Sequence, residues 1–174
     1  TAEVTPHHLS LTDDLIAEDF DPNLKMSPPL RTETDVRALI KGLLDGTLDC
    51  IASDHAPHSH ESKDVEFDLA PNGVIGLETS LGVCSTYLIK EKHLKWTQLI
   101  RAMSTRPAQI LSLNAGSLQE GFPADITIID PGKEWIVNPE RFLSRSRNTP
   151  YAGQALTGKA VYTIVDGKVV YKDV

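Results

Sequence analysis

A strongly patterned helix, followed at once by a short apolar strand, is the feature that most constrains the fold of this chain. Thr32 and Asp35 have the spacing of a capping box, and Gly46 is suited to a left-handed position that ends the helix. The apolar residues between them fall on one helical face: Val36, Leu39, Ile40, Leu43 and Leu44. Segment 48–52 is short and apolar, which is typical of a strand buried on both faces of a parallel sheet.

Strand and helix patterns alternate over residues 1–115, whereas residues 116–174 have the pattern of short strands and turns. We predict further strand ends at Glu3–Thr5 and Lys25–Met26, and a hairpin that turns at Asp166–Gly167. The sequence therefore predicts an α/β part, 1–115, followed by a small β-structured tail, 116–174. At 174 residues the chain is short for a complete (β/α)8 barrel, which needs about 250 residues.

The remaining elements are predicted from local patterns. Helical spacing covers 73–89, and Thr97 and Pro107 are suited to begin two further helices. In the tail, strands are predicted at 124–129 and 135–137, separated by an Asp-Pro-Gly turn.

Polar side chains follow the predicted strands, at the end where parallel α/β folds carry their chemistry. His7 and Asp54 are the strongest pair, because a neutral imidazole and a carboxylate are both good zinc ligands. An aspartate beside a metal can also accept a proton from water. The alternative stays open that His7 is a hydrogen-bonded turn residue and Asp54 a helix cap. We predict that one further strand lies between the two that carry this pair, and that His8 and His55 have supporting roles.

Other candidates lie in the loops after these strands. His58 follows a proline, and it either reaches a substrate carboxylate or is a solvated loop histidine. Gly73 and Gly76 either allow another group to approach the backbone closely or simply begin a helix. Segment 59–69 is polar and charged, and we predict a mobile loop that acts as a lid.

Charge and cysteine content argue against several classes of function. Lys and Arg number 17 against 24 Asp and Glu, a net charge of −7, and no basic cluster is present to bind nucleic acid. No apolar run reaches the roughly 18 residues that a membrane span needs. Cys50 and Cys84 do not form the pattern of a disulfide framework. We therefore expect a cytoplasmic protein with no nucleic-acid or membrane partner.

Three motifs together resemble one family. Glu3–Leu9 reads Glu-Val-Thr-Pro-His-His-Leu, Ser27–Arg31 reads Ser-Pro-Pro-Leu-Arg, and Ser53–His58 reads Ser-Asp-His-Ala-Pro-His. These segments resemble the bacterial, longer-chain dihydroorotases, members of the amidohydrolase superfamily of metal-dependent (β/α)8 barrels. The resemblance covers essentially the whole chain. It implies the C-terminal part of such a TIM barrel, about its last three strands, followed by a small C-terminal β-domain.

The resemblance also implies an activity. Dihydroorotases hydrolyse dihydroorotate reversibly to N-carbamoyl-aspartate, a zinc-dependent step of pyrimidine biosynthesis that uses one or two zinc ions. By position, His7 matches a metal ligand after the sixth barrel strand. Asp54 matches a residue after the eighth strand that is both a metal ligand and the catalytic acid and base.

The substrate-binding positions are matched less uniformly. His58 matches a residue that contacts the substrate carboxylate, and Gly73 with its neighbours matches a loop whose backbone meets the pyrimidine ring. Ser27 stands where many dihydroorotases carry Asn, and Asn72 where many carry Phe. Ser-Pro-Pro also occurs in hydantoinases and dihydropyrimidinases. The alternative is therefore another cyclic-amide hydrolase, such as a hydantoinase, a dihydropyrimidinase or an allantoinase-like enzyme.

Part of the family's pattern is missing from this chain. The His-x-His metal pair of the first strand has no counterpart, because His58 and His60 have that spacing but follow the last predicted strand. The ligands from the fourth and fifth strands are missing too. We therefore expect the chain alone to be neither stable nor active. The resemblance further implies a homo-oligomer or a complex with aspartate transcarbamoylase, and leaves open a non-catalytic, dihydroorotase-like partner of that enzyme.

Overall fold

Two short parallel strands form the centre of the N-terminal part. The computed structural model describes residues 1–91 and 93–173. Strand β1 (Glu3–Val4) pairs with β2 (Cys50–Ile51), with Glu3 opposite Cys50 and Val4 opposite Ile51. Both lie where strands were predicted, although β2 is shorter than the predicted 48–52.

The predicted strand that ends at Lys25–Met26 is wrong, and of the three barrel strands expected the described residues contain two. Pro22–Leu24 forms a 3-10 turn, and the carbonyl of Lys25 accepts a hydrogen bond from Gly73 N at 2.9 Å. The following Pro28 and Pro29 have no N–H to donate to a sheet. Strand β1 therefore pairs directly with β2, and the predicted intervening strand is wrong as well.

Most of the remaining chain before the tail is helical. The α-helices are α1 (Ile16–Asp19), α2 (Glu33–Asp45), α3 (His60–Lys63), α4 (Ser80–Cys84), α5 (Trp96–Ile100) and α6 (Arg106–Ile110). Two π-helical segments continue them, Ser85–Lys90 after α4 and Arg101–Thr105 between α5 and α6. Single 3-10 turns lie at His7–Leu9, Asp13–Leu15, Pro22–Leu24 and Pro139–Arg141.

Helix α2 confirms the prediction made from its capping pattern. The Thr32 hydroxyl accepts a hydrogen bond from Asp35 N at 3.4 Å, and the Asp35 carboxylate accepts one from Thr32 N at 3.1 Å. Gly46 follows the helix with φ 84°, the left-handed cap expected of a glycine. The backbone N–H groups of Thr32 and Asp35 are thus hydrogen-bonded by side chains at the start of the helix, and Gly46 ends it.

Two other predicted helices differ in extent. The helix predicted over 73–89 begins only at Ser80, because the segment before it runs beside the loop after β2, with Val74 bridged to His55. The helices predicted to begin at Thr97 and Pro107 form one continuous helical run, 96–110.

The tail is a three-stranded antiparallel sheet in the order β3 (Ile126–Ile136), β4 (Ala155–Val165) and β5 (Lys168–Lys172). The predicted hairpin is confirmed: Asp166 and Gly167 have φ 49° and 72°, as a type I′ turn requires. The predicted Asp-Pro-Gly turn is wrong, because these residues form an irregularity within β3, where the pairing jumps from Asp130–Lys159 to Glu134–Thr157.

The buried apolar side chains form two clusters. The first surrounds β1, β2 and α2 and contains Val4, Leu9, Val36, Ile40, Ile51, Cys84, Leu88, Leu94, Leu99 and Ala102. The second contains Leu11, Leu24, Met26, Leu30, Val74 and Val83 together with Val137, Tyr151 and Leu156 of the tail. The tail thus shares a core with residues before position 115, and the division into domains 1–115 and 116–174 stays a prediction.

A partly buried ion pair joins the start of β2 to α6. The Asp49 carboxylate accepts hydrogen bonds from Arg106 Nε and from Ala2 N, both at 2.9 Å, and is also paired with Arg106 Nη2. The hydrogen bonds from Arg106 are the largest of the causes that hold the pKa of Asp49 below its ordinary value.

We expect Asp49→Asn to make the free energy of unfolding less dependent on pH in the acidic range. A lowered folded-state pKa contributes stability that is present above the unfolded pKa and is lost as pH falls through the folded pKa. Within a longer protein that supplies the missing barrel strands, the unsubstituted chain should therefore lose more stability than the variant below about pH 4. Urea unfolding at a series of pH values measures the difference. Parallel curves for parent and variant would contradict this prediction.

Within residues 1–91 and 93–173, no helix has the length and apolar character needed to cross a membrane.

Candidate active site

His7 and Asp54 follow β1 and β2 at the same end of this parallel pair. His7 comes three residues after Val4, and Asp54 comes three residues after Ile51. Val4 and Ile51 are opposite each other in a parallel pairing. The two predicted zinc ligands therefore follow neighbouring strands at equivalent positions.

His7 is buried, and one of its ring nitrogens has no partner. The residue is 3% exposed, and its Nε2 makes no hydrogen bond within the described residues. Burial, with a smaller contribution from the adjacent His8, lowers the pKa of His7 to about 3. The imidazole is therefore neutral at physiological pH, the form that binds a metal. A buried polar atom without a partner costs free energy, so this nitrogen fits a ligand position.

Asp54 is exposed and has a left-handed backbone, with φ 46°. Aspartate tolerates this conformation better than most residues do, and such outliers concentrate at functional sites. Gly76 packs closely against both neighbours of Asp54. Its backbone N–H donates a hydrogen bond to His55 Nδ1 at 3.1 Å. A Cβ on Gly76 would lie only 2.7 Å from the Ser53 carbonyl oxygen. Contacts of Ser53 and His55 with Gly76 therefore stabilise the left-handed conformation of Asp54.

His8 connects the loop after β1 to the Ser-Pro-Pro turn. Its Nδ1 lies 2.6 Å from Thr5 Oγ1, and its Nε2 donates to the Pro28 carbonyl at 2.9 Å. Both ring nitrogens are thus used within the protein. The exposed Ser27 precedes the proline that His8 contacts, so the turn that carries Ser27 lies beside the His7 loop.

His58, Asn72 and Gly73 lie together. His58 Nε2 donates to the Asn72 carbonyl at 2.9 Å. Gly73 has φ 109°, and a Cβ there would lie 2.6 Å from the Cβ of Ala56. Ala56, in the loop after β2, is the residue that approaches Gly73 closely. The interpretation of Gly73 as the start of a helix is wrong, because the helix begins at Ser80.

Segment 59–69, the predicted lid, contains α3 and one buried cation. Lys63 is 7% exposed, and its ammonium donates to the carbonyls of Pro22 at 2.8 Å and Pro71 at 2.9 Å. Burial lowers the pKa of Lys63. The role of this segment as a lid stays a prediction, but Lys63 ties it to two neighbouring segments.

Asn148 is a residue that the sequence analysis missed. It is 6% exposed, and its side chain contacts the backbone of Ala56, His58 and Gly73. It also borders a cavity of about 430 Å³ that opens beside His58 and segment 21–23. The residue comes from the tail, more than seventy positions from its partners, and no local motif marks it.

The described residues supply part of a metal site. No group of three or more His, Cys, Asp and Glu side chains is arranged there to hold a metal. A catalytic zinc site uses three protein ligands and a water. His7 and Asp54 could supply two of the three.

The comparison with family models decides the family. The model described as the amidohydrolase family matches residues 7–170. The chain belongs to the amidohydrolase family. This amidohydrolase is 55% identical over 172 residues to the dihydroorotase of Geotalea daltonii and 49% identical over 174 residues to that of Anaeromyxobacter dehalogenans. The predicted resemblance to dihydroorotases is confirmed.

Both alignments cover 99% of this amidohydrolase and 40% of the relative, so the chain spans about 40% of the length of these relatives. Among solved structures, the L-hydantoinase (dihydropyrimidinase) from Arthrobacter aurescens matches with a TM-score of 0.91 and 33% identity, over 98% of this chain and 39% of that one. A D-hydantoinase from Bacillus sp. AR9 matches with a TM-score of 0.85 and 26% identity, over the same shares. The predicted mixed α/β fold is confirmed.

Proposed function

We propose that this amidohydrolase is part of a dihydroorotase, which hydrolyses (S)-dihydroorotate reversibly to N-carbamoyl-L-aspartate in pyrimidine biosynthesis. The observation that carries the proposal is the 55% identity to the G. daltonii dihydroorotase over 99% of the chain. The positions of His7 and Asp54, at equivalent places after paired strands, support it.

His7 and Asp54 are the residues that would hold zinc, as one or two ions. They fit because His7 presents a neutral ring with a buried, unpartnered Nε2 and Asp54 presents an exposed carboxylate. Further ligands would come from the part of the relatives' length that this chain does not span. When bound, zinc supplies a Lewis acid that polarises the substrate carbonyl and activates water at neutral pH.

The chain's own residues would then move the protons and orient the ring. An Asp54 carboxylate oxygen accepts a proton from the attacking water and returns it to the departing ring nitrogen. The Asn72–Gly73 backbone orients the pyrimidine ring. His58 Nε2 is already used by the Asn72 carbonyl, so Nδ1 is the ring nitrogen left to contact the substrate carboxylate.

A second candidate is a hydantoinase or another cyclic-amide hydrolase. It is favoured by Ser27 and Asn72, which depart from the residues of many dihydroorotases, and by the match to the A. aurescens L-hydantoinase. Hydantoin and dihydrouracil lack the carboxylate of dihydroorotate. The two candidates therefore predict different substrates for one site.

We also propose that β1 and β2 are neighbouring strands in the last part of a (β/α)8 barrel and that the tail belongs to a small β-domain. Their direct pairing leaves no place for a strand between them, so it does not fit the sixth and eighth positions that the resemblance implies. The parallel pairing, with His7 and Asp54 at the carboxyl ends of the strands, supports the first part. A cytoplasmic homo-oligomer, or a complex with aspartate transcarbamoylase, is the assembly that the family resemblance implies.

The test is a chimera in which this chain replaces the segment that it matches in the G. daltonii dihydroorotase. We expect the chimera to hydrolyse dihydroorotate, because the remainder of the relative supplies the missing barrel strands and metal ligands. Turnover of dihydroorotate, hydantoin and dihydrouracil is measured in parallel. Removal of metal with a chelator should abolish turnover, and added zinc should restore it.

The unmodified G. daltonii enzyme and a version without the segment are the controls. Turnover of hydantoin in place of dihydroorotate would replace the first candidate by the second. A folded chimera that hydrolyses none of the three substrates would overturn the enzymatic proposal and favour a non-catalytic partner.

A further inference from the structure

Asn148 joins three segments that are distant in the sequence. Its Nδ2 donates to the carbonyls of Ala56 at 3.0 Å and Gly73 at 3.2 Å, and its Oδ1 accepts from His58 N at 3.2 Å. Its own carbonyl accepts from Ile75 N at 3.0 Å. Both side-chain N–H groups and the side-chain oxygen of this buried amide are therefore used.

The contact with Gly73 belongs to a larger pattern. Three consecutive carbonyls of the turn 71–73 each accept a hydrogen bond from a side chain: Pro71 from Lys63, Asn72 from His58, and Gly73 from Asn148. These donors come from three different segments of the chain. Residues 71–73 belong to no strand or helix, and these side-chain hydrogen bonds help to hold the turn in place.

Asn148 differs from the other two donors in what else it contacts. His58 lies in the loop after β2 itself, and Lys63 also binds Pro22. Asn148 binds the turn through Gly73 and the loop through Ala56 and His58, with both bonds to carbonyls made by one amide nitrogen. One planar group thus bridges the loop and the turn, beside the His58–Asn72 bond and the backbone bond from Ala56 N to the Val74 carbonyl.

We propose that Asn148 is a positioning residue that fixes the spacing between the loop after β2 and the turn 71–73. In the proposed dihydroorotase, on which this inference rests, the loop carries Asp54 and His58 and the turn carries Asn72 and Gly73. Asn148 therefore helps to set the distance between the catalytic carboxylate and the backbone that orients the substrate ring. A residue of the tail thereby contributes to the specificity of a site built by the N-terminal part.

Two substitutions test this role in the chimera described above. Asn148→Ala removes both donors and the acceptor, and Asn148→Asp keeps the shape and the acceptor but sets a carboxylate against two carbonyls. For both variants we expect kcat/KM to fall roughly 10-fold to 100-fold, because small misplacements of positioned groups have effects of that size. Most of the fall should be an increase in KM, since neither substitution touches Asp54 or His7.

Asn138→Ala is the matched control. Asn138 lies in the same part of the tail, is exposed, and uses its side-chain oxygen to accept a hydrogen bond from Glu140 N at 3.0 Å. It contacts none of the proposed site residues, so its variant should keep the parent KM and kcat.

Hydrogen exchange supplies a readout that does not depend on activity. In Asn148→Asp the amide of His58 should keep its protection, whereas in Asn148→Ala it should exchange faster. The amide of Val83, which donates to Thr79 within a helical segment, should be unchanged in both.

The outcomes separate this inference from the proposed function. If the parent chimera is inactive on dihydroorotate, the proposed function fails, and KM is measured with whichever cyclic amide is hydrolysed. The positioning role is overturned if both variants keep the parent KM, or if kcat and thermal stability fall while KM stays constant. Unchanged exchange of the His58 amide in Asn148→Ala overturns the geometry itself.

Discussion

Replacing Asp54 by asparagine in the chimera is expected to lower kcat for dihydroorotate by roughly 10²-fold to 10⁴-fold, the range attributed to a positioned acid or base. Asparagine has nearly the same shape as aspartate but neither accepts nor returns the proton. It also lacks the charge that a zinc ligand supplies at this position.

Stability should be almost unaffected by Asp54→Asn. Asn tolerates the left-handed backbone of this position, φ 46°, as well as Asp does. The side chain is exposed, so we expect the free energy of unfolding to change by no more than about 0.5 kcal/mol. Steady-state kinetics and urea unfolding of the same preparation measure the two effects.

Asp166→Asn is the control for that experiment. Asp166 is also an exposed aspartate in the left-handed region, with φ 49°, but it lies in the β4–β5 hairpin far along the chain from the site. Its variant should match the parent in both kinetics and stability. Retention of more than about one tenth of kcat by Asp54→Asn would remove Asp54 from the role of acid and base.

Gly73→Ala is expected to produce the largest loss of stability among the substitutions considered. The backbone of Gly73, with φ 109°, is strained for any L side chain, and the new Cβ would lie 2.6 Å from the Cβ of Ala56. Neither atom is the end of a flexible side chain, so the loop and the turn must move apart. We expect the free energy of unfolding to fall by about 2–6 kcal/mol, the sum of strain and overpacking. KM should rise because the turn is displaced.

Gly46→Ala distinguishes the two causes. Gly46 also has a left-handed backbone, φ 84°, but no atom lies within 4 Å of the added Cβ. Its variant should lose only the conformational part, about 1–2 kcal/mol, with KM unchanged. Equal losses for the two variants would show that contact with Ala56 contributes nothing.

The elements that could be predicted from the sequence are those whose signals are local. The capping box of Thr32 and Asp35 and the hairpin at Asp166–Gly167 each depend on residues within one turn of each other. The motif around Asp54 likewise indicated the family before any contact was known.

The errors arose where distant parts of the chain decide the local conformation. A strand was predicted at Lys25–Met26, but this segment is bonded to Gly73, 48 residues later, and not to a neighbouring strand. The helix predicted from Gly73 is displaced because Val74 pairs with His55. An apolar pair or a glycine has the same local appearance in either environment.

The candidate site was predicted in part for the same reason. Family motifs assign roles to residues such as His7 and Asp54, and these roles stay predictions. Asn148 and Lys63 were not identified, because a buried polar residue is recognised by the distant carbonyls that it binds, and those partners leave no pattern in the sequence around it.

The link from Asn148 to Gly73 also fixes the order in which the site can be completed during synthesis. The two residues are 75 positions apart. At typical ribosomal rates that separation corresponds to roughly 4–15 s, during which the turn has been made but its tail partner has not. The loop after β2 waits longer still for the bond that Asn148 accepts from His58, because those two residues are 90 positions apart. A nascent chain thus carries an unfinished binding surface for seconds, and a translational pause within the tail would lengthen its exposure to proteases and chaperones.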